Sequence, residues 1–166
     1  MKNNNDSIYE SIVVLAVHIS DTEDILFEDN YENRVERYRK LLNDCVHIMQ
    51  ENDCVDIVLY HKHIYGVYGG EGHKKGRDLE STGIRICSLV KEFNCSAETH
   101  DEEQLLCGIG IAAGMAVRIP LHSPFQQKKI WMGHVFEKAY SMAQMSVCDG
   151  RRRVFVDDSA EIVFYT

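Results

Sequence analysis

Apolar side chains recur along this chain with two different periods, and the alternation between them sets out the elements. Ile12-Val13-Val14-Leu15-Ala16-Val17-His18-Ile19 is a short β-branched run with no charged break, the pattern of a strand buried on both faces. Past a polar and acidic stretch that ends at Asn30, Tyr31, Val35, Tyr38, Leu42, Cys45 and Met49 return every three or four positions. That spacing predicts a long amphipathic helix ending near Glu51-Asn52-Asp53. Residues 55–60 and 63–68 predict the two strands of a tight hairpin with His61 and Lys62 at its turn. The stretch Gly69 to Gly76 carries four glycines and two lysines and is expected to be a mobile loop.

Leu79, Ile86, Cys87, Val90 and Phe93 predict a second amphipathic helix, weakened locally by Gly83. Residues 105–119 form a long apolar strand pattern, and residues 120–129 are expected to be a loop because they hold both prolines of the chain. A third helix is predicted over 135–145, with Val135, Ala139, Met142 and Ser146 on one side. Residues 153–156 predict a strand, followed by Asp157-Asp158-Ser159 as the N-cap of a short helical turn. The order strand–helix–hairpin–helix–strand–helix–strand is mixed α/β (α+β) and fits a ferredoxin-like βαββαβ palm-type core with additions.

Composition narrows this. At 166 residues and 45% hydrophobic content, residues 1–166 suit a single domain with one core, with residues 1–10 flexible. The formal net charge of −8 argues against a DNA or RNA surface, which needs clustered cations to displace counterions. Arg151-Arg152-Arg153 is too short to change that and is read as a solvated edge. The first thirty residues hold neither a secretory signal nor an apolar run long enough to span a bilayer, so no membrane partner is expected. Six cysteines without a CxxC pair fit free thiols in a reducing, cytoplasmic setting.

Four segments carry a further signal: Ala16-Val17-His18-Ile19-Ser20; Asp53-Cys54-Val55-Asp56 through Tyr68-Gly69; Leu106-Cys107-Gly108-Ile109-Gly110-Ile111-Ala112-Ala113-Gly114; and Trp131-Met132-Gly133-His134-Val135-Phe136-Glu137-Lys138-Ala139. In this order they resemble the catalytic domain of class III adenylyl and guanylyl cyclases, over almost the whole chain from Ile12 to Val163. They stand where that family has a strand ending in Asp-Ile, a second metal-site hairpin, an Ile-Gly-Ile-His-Thr-Gly strand and a Gly-x-x-Val-Asn-x-Ala helix start. The resemblance implies a ferredoxin-like sheet, a head-to-tail dimer and a nucleotide at the dimer interface. It also implies two divalent metals on two Asp carboxylates, activating the 3′-hydroxyl and neutralising the triphosphate.

The departures from that pattern fall on the chemistry. The first metal carboxylate is replaced by His18, a poor ligand for magnesium. The second maps to His61 or Lys62, neither a carboxylate. The transition-state Asn and Arg fall on Glu137 and Ser141, which offer neither neutral amide nor guanidinium fork. If His18, Lys62 and Glu137 converge, Lys62 and Glu137 could pair in the place of the metals.

Other candidates have plainer readings. Asp21 and Asp24 could be displaced ligands but read as a solvent-facing loop. His18, His61 and His63 could hold a transition metal, against the more ordinary reading of hydrogen-bonded histidines at a hairpin tip. The Gly-rich loop with Lys74 and Lys75 lacks a P-loop ending and reads as a connector. Trp131 could stack on a base or pack the start of the third helix, and packing is favoured. The cyclase-site equivalents to examine for ligand binding are therefore His18, His61, Lys62, Trp131, Glu137 and Ser141, with no catalytic residue and no metal ligand among them.

The functional expectation is an inactive cyclase-homology domain acting as a dimerising, nucleotide-sensing regulatory module without a cofactor. Its partner would be a second copy or a related domain. The alternatives are an active, magnesium-dependent nucleotidyl cyclase (a phosphorus–oxygen lyase) with displaced ligands such as Asp21 and Glu137, and a pure interaction scaffold.

Overall fold

The computed structural model of the chain describes residues 7–20, 31–60, 63–69, 72–96, 105–122, 124, 127–149 and 154–161. Along the chain these form β1 (Ile8–Ser20), α1 (Tyr31–Met49), β2 (Cys54–Tyr60), β3 (His63–Gly69), α2 (Gly72–Ser96), β4 (Leu106–His122), β5 (Gln127–Met132), α3 (His134–Asp149), β6 (Val154–Val156) and α4 (Asp158–Glu161). The strands make one sheet in the order β2-β3-β1-β4-β5, with β6 beside β4. Every pairing is antiparallel except that of β6 with β4. The stretch β1-α1-β2-β3-α2-β4 is the ferredoxin-like unit that the pattern predicts.

β1 is central and apolar on both sides because both sides are covered. Ile12 through Val17 are at most 1% exposed. Val13, Leu15, Val17 and Ile19 face α1 and α2 in one cluster with Leu41, Cys45, Met49, Leu79, Ile86 and Val90. Ile12, Val14 and Ala16 face the other way, against Val135, Ala139 and Ala143 of α3.

On that second face β4 contributes almost no side chain. Its alternate positions are Gly108, Gly110, Ala112, Gly114 and Ala116, lying opposite His18, Ala16, Val14, Ile12 and Glu10 of β1. A Cβ at Gly110 would come within 1.9 Å of the Ala139 carbonyl oxygen, and one at Gly108 within 2.1 Å of that of Ala143. The backbone of α3 therefore rests directly on the backbone of β4. Gly83 of α2 plays a similar part on the first face, where a Cβ would meet Ile109 and Val154. This close packing explains a glycine that propensity alone disfavours in a helix.

Three expectations need correction. The stretch Gly69 to Gly76 is not a loop throughout, since α2 already begins at Gly72. Gly76 sits against Ala160 of α4, a long-range contact that glycine-rich composition does not reveal. Residues 120–129 are not one loop: β4 continues through Pro120 to His122, and β5 starts at Gln127. Among the described residues the pairing of β1 with β4 ends at Ile8 opposite Arg118, two positions short of Pro120, which places the proline on the β4–β5 arm rather than within the central ladder. Ile8–Glu10, expected to be flexible, belong to β1 and pair with residues 116–118.

Elsewhere the ends fit the signals. α1 closes with Gln50 and Glu51 donating back to Val46 and Ile48, and Asp53 then turns the chain at a φ of 55°. Asp157 caps α4 through its carboxylate, which accepts from the Ser159 N–H at 3.0 Å. Arg151-Arg152-Arg153 lies outside the described residues.

Cys45, Cys54, Cys87, Cys95 and Cys107 are free thiols. Burial, with smaller contributions from Asp44 and Cys87, pushes the Cys45 thiol up from 9.0 to about 12. A thiol held protonated in the fold but free to ionise when unfolded stabilises fully below the unfolded value, and that contribution fades as pH rises from 9 towards 12. Wild type should therefore lose about 1 kcal/mol more than Cys45→Ala between pH 8 and pH 10. Urea titrations of both proteins at the two pH values measure it. Parallel loss in both would mean that Cys45 is not shielded.

Candidate functional site

The strand alternation that puts Ile12, Val14 and Ala16 under α3 puts His18 on the same face, near the end of β1. The antiparallel register of β3 sets His63 directly opposite it. Their Nδ1 atoms lie 3.2 Å apart, with ring centroids at 5.1 Å and planes inclined by 29°. Two like nitrogens at that distance need one ring to donate and the other to accept, so the pair shares a single proton between its facing atoms.

α3 supplies the third wall. Ala139 and Ala143 seat the helix on β4, and Tyr140, next in sequence, turns towards the histidines. Its ring stands edge-on to His18 at 5.9 Å and to His63 at 4.7 Å, while its hydroxyl accepts from Gln144 Nε2 at 2.9 Å. His18, His63 and Tyr140 are half-buried, so the cluster is both held and reachable.

The other candidates occupy separate positions. Glu137, in the first turn of α3, has an 83% exposed side chain that meets His134 at 3.5 Å. Ser141 is exposed on the same helix. Trp131 on β5 packs with Val58, Tyr65 and Phe136 against the α3-side core. Its indole Nε1 donates to the Asp56 carboxylate at 2.8 Å, and Arg118, itself paired with Glu10, lies 5.7 Å from the ring centre. Packing rather than an open stacking platform describes Trp131 here. β2 and β5 are the two ends of the strand order, so this hydrogen bond joins the sheet's opposite edges over the α3 face. His61, Lys62, Asp21 and Asp24 lie outside the described residues, and with them the suggested Lys62–Glu137 pair.

Sequence reasoning missed Tyr140; it weighed His63 with His18 and His61 as a transition-metal set and favoured a hydrogen-bonded histidine at the hairpin tip. His63 lies on a strand the pattern predicts, but the hairpin pairs it with Tyr60, and only the β1–β3 register, with Val13 opposite Tyr68 and Val14 opposite Val67, sets it against His18. Tyr140 carried no signal, because its place depends on how closely α3 approaches β4. A groove of about 300 Å³ between α1 and α2, lined by Arg37, Lys40, Asp44, Glu92 and Phe93 among others, lies on the opposite side of the sheet from this cluster. Arg37 is already engaged there by the Phe93 carbonyl and ring.

No family model matches the chain, and no curated relative does. Solved structures do. A bacterial light-regulated adenylyl cyclase superposes with a TM-score of 0.75 at 12% identity, over 93% of this chain and 79% of that one. This chain has the class III nucleotidyl cyclase fold. The adenylyl cyclase CyaB from P. aeruginosa matches at TM-score 0.70 and 14% identity, covering 84% of this chain and 74% of that chain. The dimeric guanylyl cyclase domain of the RhoGC fusion protein from the aquatic fungus Blastocladiella emersonii matches at 0.64 and 13%, covering 94% and 84%. At such identities the likeness speaks for the fold alone.

Active cyclases of this fold imply magnesium, and the donors found here do not suit it. Magnesium takes hard oxygen ligands in octahedral array, whereas the side chains facing one another at the end of β1 are two imidazoles. Among the described residues no group of three or more His, Cys, Asp or Glu side chains comes together to hold a metal. No helix among them is long and apolar enough to cross a membrane.

Proposed function

We propose that this chain is a catalytically inactive nucleotidyl cyclase-homology domain that dimerises and serves as a nucleotide-sensing regulatory module. The observation that carries the reading is the His18–His63 pair, imidazole against imidazole at the strand end where the cyclase pattern calls for a metal-binding carboxylate. Glu137 and Ser141 on α3 support it, since an exposed carboxylate would repel a triphosphate and a serine cannot fork onto phosphoryl oxygens.

Purified protein with ATP, GTP, CTP or UTP and Mg²⁺ or Mn²⁺ is expected to release no cyclic nucleotide above a buffer control. Product from any of the four nucleotides overturns inactivity. Restoring one carboxylate with His18→Asp should leave the protein inactive, because Glu137 and Ser141 still lack the donors that phosphoryl transfer needs.

Dimerisation draws support from the far end of the sheet. On the face that α1 and α2 cover elsewhere, the β1 start and the β4–β5 arm leave Tyr9, Met115, Leu121, Ile130 and Met132 between 40% and 75% exposed. A symmetric contact of stable type buries on the order of 1,200–2,000 Å² in total, and an apolar strip of this kind suits its centre. Sedimentation should show a dimer that Met132→Lys shifts towards monomer. A wild-type monomer at high concentration refutes the self-association.

A further inference from the structure

The His18–His63 pair has a geometry beyond what an inert replacement requires. The two residues are directly opposed on adjacent strands at the centre of the sheet, so the backbone that carries them is already ordered. A tetrahedral zinc site with Zn–N bonds of about 2.0–2.1 Å separates two ligand nitrogens by about 3.3–3.4 Å. The Nδ1 atoms here are 3.2 Å apart.

We propose that His18 and His63 bind one borderline divalent metal ion of the Zn²⁺ or Ni²⁺ class through their Nδ1 atoms. Imidazole is a good ligand for zinc, nickel and copper and a weak one for magnesium. Tyr140 walls one side of the ion, its hydroxyl held by Gln144, and water completes the coordination. On binding, the donor ring exchanges its Nδ1 proton for one on Nε2 through solvent, so both Nδ1 lone pairs turn to the metal with no net proton release. The strand end that in active cyclases would favour magnesium is thereby turned towards a softer ion. This inference stands apart from nucleotide binding and dimerisation and is tested without either.

The experiment uses the full chain, stripped with a chelator and desalted, titrated calorimetrically with Zn²⁺, Ni²⁺ and Mg²⁺. Zn²⁺ and Ni²⁺ are expected to bind and Mg²⁺ not to. One Zn²⁺ equivalent should weaken at least about tenfold in His18→Asn and in His63→Asn alike, while His47→Asn and Cys95→Ser leave it unchanged. Should either histidine variant lose its fold by circular dichroism, the wild type still decides. Zn²⁺ must then shift the ¹⁵N resonances of two histidine rings to the Nδ1-ligated, Nε2-protonated pattern. Absence of Zn²⁺ binding, binding that survives both histidine substitutions, or unmoved histidine resonances would each overturn the proposal.

Discussion

Gly110→Ala should be among the most damaging single-atom-group additions possible in this chain, lowering the melting temperature by about 6–12 °C or more. Strand propensity points the other way, because glycine weakens a strand interior and alanine would be expected to help. Packing decides the sign. The new methyl would sit 1.9 Å from the Ala139 carbonyl oxygen and 2.5 Å from the Ala143 nitrogen, and backbone cannot rotate away as a side chain can. α3 would have to lift off β4, losing the burial of Val135, Ala139 and Ala143. Overpacking of this kind costs about 3 kcal/mol at the upper end of the usual range, and in a domain of this size each kcal/mol moves Tm by about 2–4 °C. Gly114→Ala is the internal control, since its Cβ would meet the Val135 side chain at 3.3 Å and needs only a small adjustment. Calorimetric melting of both variants tests this. A Gly110→Ala protein that melts within 2 °C of wild type would disprove the close seat of α3.

A second large effect is expected at Tyr68, the largest fully buried side chain. Its ring crosses the bare backbone of Gly66, and its hydroxyl donates to the Met49 carbonyl at 2.6 Å. That carbonyl ends α1 and has no next turn of helix to satisfy it. Burial, rather than a charged neighbour, is the main cause that holds the phenol protonated well above the usual range. Tyr68→Phe keeps the ring and strands the carbonyl, at a cost of about 1–3 kcal/mol. Tyr68→Ala empties the space as well and should cost about 3–5 kcal/mol. Chemical denaturation of the two variants separates hydrogen bond from volume; equal losses would assign the whole effect to the buried carbonyl.

The core of the fold was legible because its elements declare themselves by periodicity. The β-branched run around Val14, the three-and-four spacing of α1, and the hairpin of β2 and β3 stand where their patterns place them. The arm was less legible. Pro120 reads locally as a strand breaker, and only the register, with the β1–β4 pairing ending opposite Arg118, places it outside the central ladder. The start of α2 was hidden for a similar reason, as Gly76 is seated by Ala160, more than eighty residues away.

The site divided along the same line. His18 could be placed from strand alternation. The nearness of His63 required a register, and Tyr140 required the depth to which α3 sinks on Gly108 and Gly110. Trp131 was legible as a packing residue but not as the partner of Asp56, since that contact depends on the coiling of the whole sheet rather than on any local pattern.

The central position of β1 has a kinetic consequence. It is synthesised before both of its neighbours in the sheet, and one of them, β4, begins at Leu106 and ends at His122. At about 5–20 residues per second, the 86 positions from Ser20 to Leu106 take about 4–17 s to synthesise. Throughout that interval the apolar, β-branched stretch of β1 at residues 12–19 has at most one edge paired, by β3, and an open edge towards solvent. Such a segment is a template for pairing with another nascent chain. The acidic stretch from Asp21 to Asp29 follows it immediately in sequence, with five carboxylates in nine residues, and like charges of that density keep neighbouring copies apart. Early chaperone capture of β1, and aggregation on neutralising those carboxylates, are the outcomes that this order of assembly entails.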